Sequence, residues 1–156
     1  MAKIVLSGVD GSATALIAAE KAATLATALG AELHILSAFT VKTNETVQSL
    51  HGKNEHTVTR SAYDKLIARF ADEAEHIAAT VAERVGQKVP GLTVKSRAIE
   101  GTPGLALVHE AERVGAEVIV VGNKRVQGPA RMLGSIARTV ASEAGCDLYV
   151  VHTHQR

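Results

Sequence analysis

The residues able to do chemistry are concentrated in one stretch, Val120-Val121-Gly122-Asn123-Lys124-Arg125-Val126-Gln127-Gly128-Pro129-Ala130-Arg131-Met132-Leu133-Gly134-Ser135-Ile136-Ala137-Arg138. An apolar run leaves through glycine, loops past Lys124, Arg125 and Arg131, and re-enters a helical pattern at Gly134-Ser135. Glycine lets a ligand approach the backbone, and the first amides of a helix point outward with the positive end of its dipole. An anion, phosphate above all, fits such a place. Ser135 adds a hydroxyl donor, and the three basic side chains add charge. The same residues have a plainer reading, in which Gly122 and Gly134 shape a turn and Ser135 caps a helix. The stretch matches neither the Gly-x-x-x-x-Gly-Lys-Ser/Thr phosphate loop nor the Gly-x-Gly-x-x-Gly dinucleotide fingerprint.

Other candidates are weaker. Asp10 closes the first apolar run, where a ligand contact belongs, but Asp10-Gly11-Ser12 equally suits a strand-to-helix turn. His152 and His154 share one face of a strand without an apparent third metal ligand. His51 and His56 do not share a helix face, and His34, His76 and His109 read as surface or packing positions. The single cysteine, Cys146, excludes a disulfide framework and a Cys-rich zinc site. It has no fixed basic partner, and no Ser, His and Asp set falls on strand-end loops, so covalent catalysis lacks a nucleophile.

These residues are positioned by two alternating kinds of segment. Ile4 to Val9, Leu33 to Phe39, Leu92 to Ile99, Val118 to Val121 and Leu148 to His152 are short and aliphatic, the pattern of strands buried on both faces. Between them runs helical spacing. Ala15, Ala18, Ala22, Leu25 and Leu29 form one stripe, ended by Gly30. Tyr63, Ile67, Phe70, Ala74, Ile77 and Val81 form a second, running out at Gly86. A third helix opens with Thr102 as cap and Pro103 at its first position and closes near Gly115. A fourth starts after Gly134 and ends near Gly145, with Ile136, Val140 and Ala144 inward. The alternation predicts an α/β fold: a single doubly wound domain over residues 1–156, with a five-stranded parallel sheet and four helices. Ligands of such sheets sit beyond the carboxyl ends of the strands, which directs attention to the loops after Val9, Phe39 and Val121. The polar segment Thr40 to Thr59 shows little periodicity and reads as a flap beside that crevice, a partly helical excursion, or plain surface.

Length and composition agree. The 156 residues suit one average domain. Seventeen basic and sixteen acidic residues leave a formal charge of +1, which argues against an extended basic surface for nucleic acid or anionic lipid. With neither a secretory leader nor a membrane-spanning run, the expected setting is the cytoplasm. Aromatics are only 3%, so a site for a planar ring must use aliphatic walls and backbone edges.

Taken together, Ile4-Val5-Leu6-Ser7-Gly8-Val9-Asp10-Gly11-Ser12, Glu100-Gly101-Thr102-Pro103, the glycine loop and Asp147-Leu148-Tyr149-Val150-Val151-His152-Thr153 resemble the universal stress protein family, loosest over Thr40 to Thr59. The resemblance implies a Rossmann-like fold of the adenine nucleotide alpha hydrolase type, and a homodimer holding an adenine nucleotide: ATP first, AMP or cyclic AMP as alternatives, with or without Mg. It implies that Asp10 faces the ribose or adenine end, that Gly8, Val9, Ala38 and Val121 form the aliphatic walls, and that Gly122, Lys124, Arg125, Arg131, Gly134, Ser135, Ile136 and Ala137 complete the site. The nucleotide-binding branch carries Gly-x2-Gly-x9-Gly-Ser/Thr in this loop. Here Gly122 and Gly134-Ser135 match, Arg125 replaces the middle glycine, and eight residues separate it from Gly134. Arg125 narrows the site, or grips phosphate with its guanidinium.

The first expectation is therefore a nucleotide sensor or sequestering module with no enzymatic role beyond slow, metal-assisted ATP hydrolysis. The second is a stress-response interaction protein of the same fold that binds no nucleotide. A phosphoacceptor receiver domain is disfavoured, because the first strand ends in one carboxylate and the third in Ile99-Glu100. The last strand, an apolar edge from Leu148 to His152, is expected to pair with its mate in a dimer.

Overall fold

Strand and helix alternate throughout the computed structural model, which describes residues 2–41, 60–123 and 133–153. The order is β1 (Ile4–Gly8), α1 (Ala13–Leu29), β2 (Glu32–Phe39), α2 (Arg60–Lys88), β3 (Val94–Glu100), α3 (Pro103–Val114), β4 (Val118–Asn123), α4 (Ser135–Glu143) and β5 (Asp147–His152). Residues 42–59, most of the polar segment beginning at Thr40, lie outside the described residues.

All strand pairs are parallel and the sheet order is β3-β2-β1-β4-β5. Chain direction across the sheet therefore reverses between β1 and β4, and the crevice of a doubly wound sheet opens there. Period-2 alternation sorts the side chains onto two faces. Val5, Val9, Leu33, Ile35, Val118 and Val120 face α1 and α2, while Leu6, Leu36, Ile99, Ile119 and Val121 face α3 and α4. Burial on both sides accounts for the continuous apolar runs of the three central strands.

The helices follow their composition. Six buried alanines line the inner face of α1, and their small side chains let the helix lie close on the sheet. Gly30 and Gly115 end α1 and α3 in the left-handed conformation, with φ of 64° and 66°.

Several details differ from the sequence reading. Thr102 has the extended backbone of a cap, but its side chain makes no capping bond to α3. The second helix runs through Gly86 to Lys88, because Val85 is packed at 1% exposure and the break at Gly86, at about 1 kcal/mol relative to alanine, is too weak to end it. Phe70 is 37% exposed instead of inward. With 29 residues α2 is roughly 43 Å long, well beyond the ~27 Å of the eight-residue β2, so its first half overhangs the carboxyl edge of the sheet. In α4 the buried residues are Ala137 and Val140, and Ile136 turns outward.

Candidate functional site

A cavity of about 400 Å³ opens at the carboxyl edge of the sheet, above the gap between β1 and β4. That volume lies within the ~300–1,000 Å³ of small-molecule sites. Its lining includes Gly8, Val9, Asp10, Ala38, Val121, Gly122, Gly134, Ser135, Ile136 and Ala137, every candidate binding residue from the sequence that falls among the described residues. Lys124, Arg125 and Arg131, with Gly128, lie outside the described residues, as do His51, His56 and His154.

The walls are aliphatic. Val9, Ala15, Leu36, Ala38, Leu107 and Val121 surround the space, and no aromatic ring is among the lining residues. Gly8 has a packing role: a Cβ there would meet Leu107 Cδ1 at 2.8 Å, so any side chain at the end of β1 would have to push the Leu107 side chain of α3 aside. Leu36, Leu107, Ala15, Ser12, Thr14 and Pro103 also line the cavity, although the sequence reading did not place them there. Their signal was masked by ordinary core periodicity in the apolar cases and by ordinary capping in the polar ones.

Three helices begin at this cavity, and their first turns differ. At α1 the Ser12 Oγ accepts from the Ala15 N–H at 3.2 Å, so the start is capped from within. Asp10 supports the same turn, its Oδ1 accepting from the Ser12 N–H at 3.0 Å. The structural half of the Asp10 reading is thus present in the geometry. Helix α3 opens on Pro103, which has no N–H to offer, and the two residues that follow, Gly104 and Leu105, are not among those lining the cavity. Helix α4 opens behind Gly134, which has no side chain to cap with, and its first internal bond is Arg138 N–H to Gly134 C=O at 3.0 Å. The amides of Ser135, Ile136 and Ala137 consequently have no acceptor in the helix below them. Of the three starts, α4 is the one shaped to receive an anion from outside the chain.

One side chain does reach across the entrance to α4. Asn123, at the end of β4, accepts the Gly134 N–H on Oδ1 at 3.0 Å. The sequence reading assigned Asn123 no role, since an amide one residue past a strand carries no periodic signal. Gly122 and Gly134 are both outside the positive-φ set of this chain, so neither is required by left-handed backbone.

The described groups with displaced titration lie away from the cavity. On α3, buried Glu110 bonds Arg113 at 2.7 and 2.8 Å and Arg97 at 3.2 Å; the Arg113 bonds, aided by the Arg97 charge, hold its carboxyl below the usual carboxylate range. On β2, Glu32 is lowered by bonds from Lys95 at 2.7 Å and His34 at 3.2 Å. Burial, with the neighbouring Asp147 carboxylate, pushes the Cys146 thiol up, away from a reactive thiolate. The sheet order also bears on the receiver-like alternative, for it keeps Glu100 on the edge strand β3, two strands from Asp10.

Comparison with known proteins gives a consistent result. The model of the Universal stress protein family matches residues 1–152. Universal stress protein Rv1636 of Mycobacterium tuberculosis (strain H37Rv) is 35% identical over 153 residues, covering 97% of this chain and 97% of its own. A universal stress protein crystallised in complex with cAMP superposes with a TM-score of 0.69 at 28% identity, over 97% of this chain and 98% of that one. UspA from Lactobacillus plantarum shares the fold, with a TM-score of 0.69 at 20% identity over 96% and 97% of the two chains.

Proposed function

The chain belongs to the universal stress protein family, and from that premise we propose that its cavity binds an adenine nucleotide. ATP is the first candidate, with AMP and cyclic AMP as alternatives. The observation that carries this reading is the start of α4, whose first amides no described side chain caps, facing an aliphatic cavity of about 400 Å³ at the β1/β4 reversal. The purine takes the walls formed by Val9, Leu36, Ala38, Val121 and Leu107, the ribose end lies toward Asp10, and phosphate meets the α4 amides and the Ser135 hydroxyl. The family likeness supports it, as does the cAMP complex of a structural neighbour above a quarter identical.

The protein acts as a cytoplasmic sensor or sequestering module, and works as a homodimer through β5. It is not an enzyme in the ordinary sense. Slow hydrolysis of ATP would need a metal carried in with the nucleotide, and Asp10 is the lining carboxylate nearest to that task. Among the described residues no helix is long and apolar enough to cross a membrane.

Calorimetric titration with ATP, ADP, AMP and cyclic AMP tests this reading, which expects saturable binding of one site per chain for at least one of the four. Heat traces without binding for all four would overturn it. They would favour an interaction protein of the same fold without nucleotide, the alternative raised by Arg125 at the family's middle glycine position.

A further inference from the structure

Three chain ends meet beside the phosphate half of the cavity. The Asn123 Oδ1 at the end of β4 accepts the Gly134 N–H at 3.0 Å, which brings together the two ends of the intervening loop. The Asn123 carbonyl in turn accepts from Thr153 Oγ1 at 3.0 Å. Thr153, one residue past β5, is buried at 7% exposure, and its methyl lies where a Cβ on Gly122 would come within 3.1 Å. One amide and one hydroxyl thus fasten the end of β4, the start of α4 and the end of β5.

We propose that Asn123 and Thr153 are positioning residues for phosphate, and that Thr153 makes the phosphate site dependent on the end of β5. This rests on the reading of the cavity as a nucleotide site. Strand pairing fixes β4 against β5 but says nothing about where a nine-residue helix begins beyond it. The Asn123 amide supplies that missing constraint, so the Ser135, Ile136 and Ala137 amides converge on one point. It also consumes the Gly134 N–H, which leaves those three amides and the Ser135 hydroxyl as the donors that the described residues offer at this helix start. The choice of asparagine follows: aspartate would keep the acceptor but place a negative charge beside the bound phosphate. Because β5 is an edge strand, any event that moves its end shifts the acceptor of Thr153 and, through Asn123, the helix start.

The test is calorimetry with AMP and with adenosine, which lacks the phosphate, on the parent chain and on Asn123→Ala, Asn123→Asp, Thr153→Val and Thr153→Ser. Asn123→Ala and Thr153→Val are expected to weaken AMP by about tenfold, the worth of roughly one net hydrogen bond, with adenosine unchanged. Thr153→Ser keeps the hydroxyl and should keep parental affinity. Asn123→Asp keeps the bond to Gly134, so it folds even should Asn123→Ala not, and it should lose AMP most of all. Equal AMP affinity in parent, Asn123→Asp and Thr153→Val overturns the proposal, as does a parallel loss of AMP and adenosine. Where the parent prefers ATP, ADP or cyclic AMP, that nucleotide takes the place of AMP; a parent chain that binds none of the four overturns the nucleotide reading and this inference together, and a parent that binds, with indifferent variants, overturns this inference alone.

Discussion

Gly134 has φ of −61° and ψ of 163°, a conformation open to any residue, and a Cβ there would lie no nearer than 3.5 Å to Asn123 Oδ1. Neither strain nor crowding demands glycine at this position. What the missing side chain provides is an empty cap, and that is the feature a phosphate would use. Gly8 is the opposite case, a glycine whose missing side chain leaves room for the Leu107 methyl. In sequence the two look alike, which is why the residue-level roles needed coordinates. Glu110 was likewise invisible as a structural group, since a carboxylate in the polar phase of a helix gives no sign of two arginines nearby. Its folded pKa is lowered, so its contribution to stability is present above the ordinary carboxylate range and is lost as pH falls through the folded value. Glu110→Gln should therefore lower stability near neutral pH by about 1–2 kcal/mol, a figure discounted for the half-exposed arginines. The gap between variant and parent should close below roughly pH 4.3, as read from urea midpoints across pH.

At the scale of elements, the central strands and α1 were legible because burial on both sheet faces and a stripe of alanines leave periodic marks. Strand ends were less so: the third strand begins at Val94, two residues after Leu92, because Leu92 N–H bonds Val89 C=O in the turn leaving α2. The inward face of α2 was legible at Ala74, Ile77 and Val81 but not at Phe70, since periodicity does not reveal where the supporting sheet stops. The contact between α3 and α4 carried no sequence signal at all. A Cβ on Gly104 would meet Thr139 Cβ at 2.7 Å, so the two helices cross at glycine. Gly104→Ala should force them apart at a cost of about 1–3 kcal/mol, seen as a fall of several degrees in Tm. Thr139→Ser would relieve part of that crowding, and the double variant should recover some of the loss.

Over the whole molecule, the two edges of the sheet are treated differently. On β3 the Ala98 N–H is taken by Glu75 Oε2 of α2 at 2.8 Å, which blunts that edge. On β5 Tyr149 is 45% exposed beside half-buried Leu148 and Val150, an edge suited to pairing with a second copy. Sedimentation at micromolar concentration should give twice the chain mass, and Tyr149→Lys should shift the equilibrium toward single chains; a parent sedimenting at 16.3 kDa would contradict the dimer.

The central proposition is that the empty cap of α4 holds the phosphate of an adenine nucleotide, and Gly134→Asp isolates it. Aspartate is a favoured N-cap residue, so the unliganded variant should melt at or above the parent temperature while its carboxylate occupies the amides and repels phosphate. Melting curves with and without saturating ATP, AMP or cyclic AMP read both effects at once. The expected result is nucleotide-dependent stabilisation of the parent and none of the variant; equal stabilisation of the two would place the nucleotide elsewhere, or nowhere, on this chain.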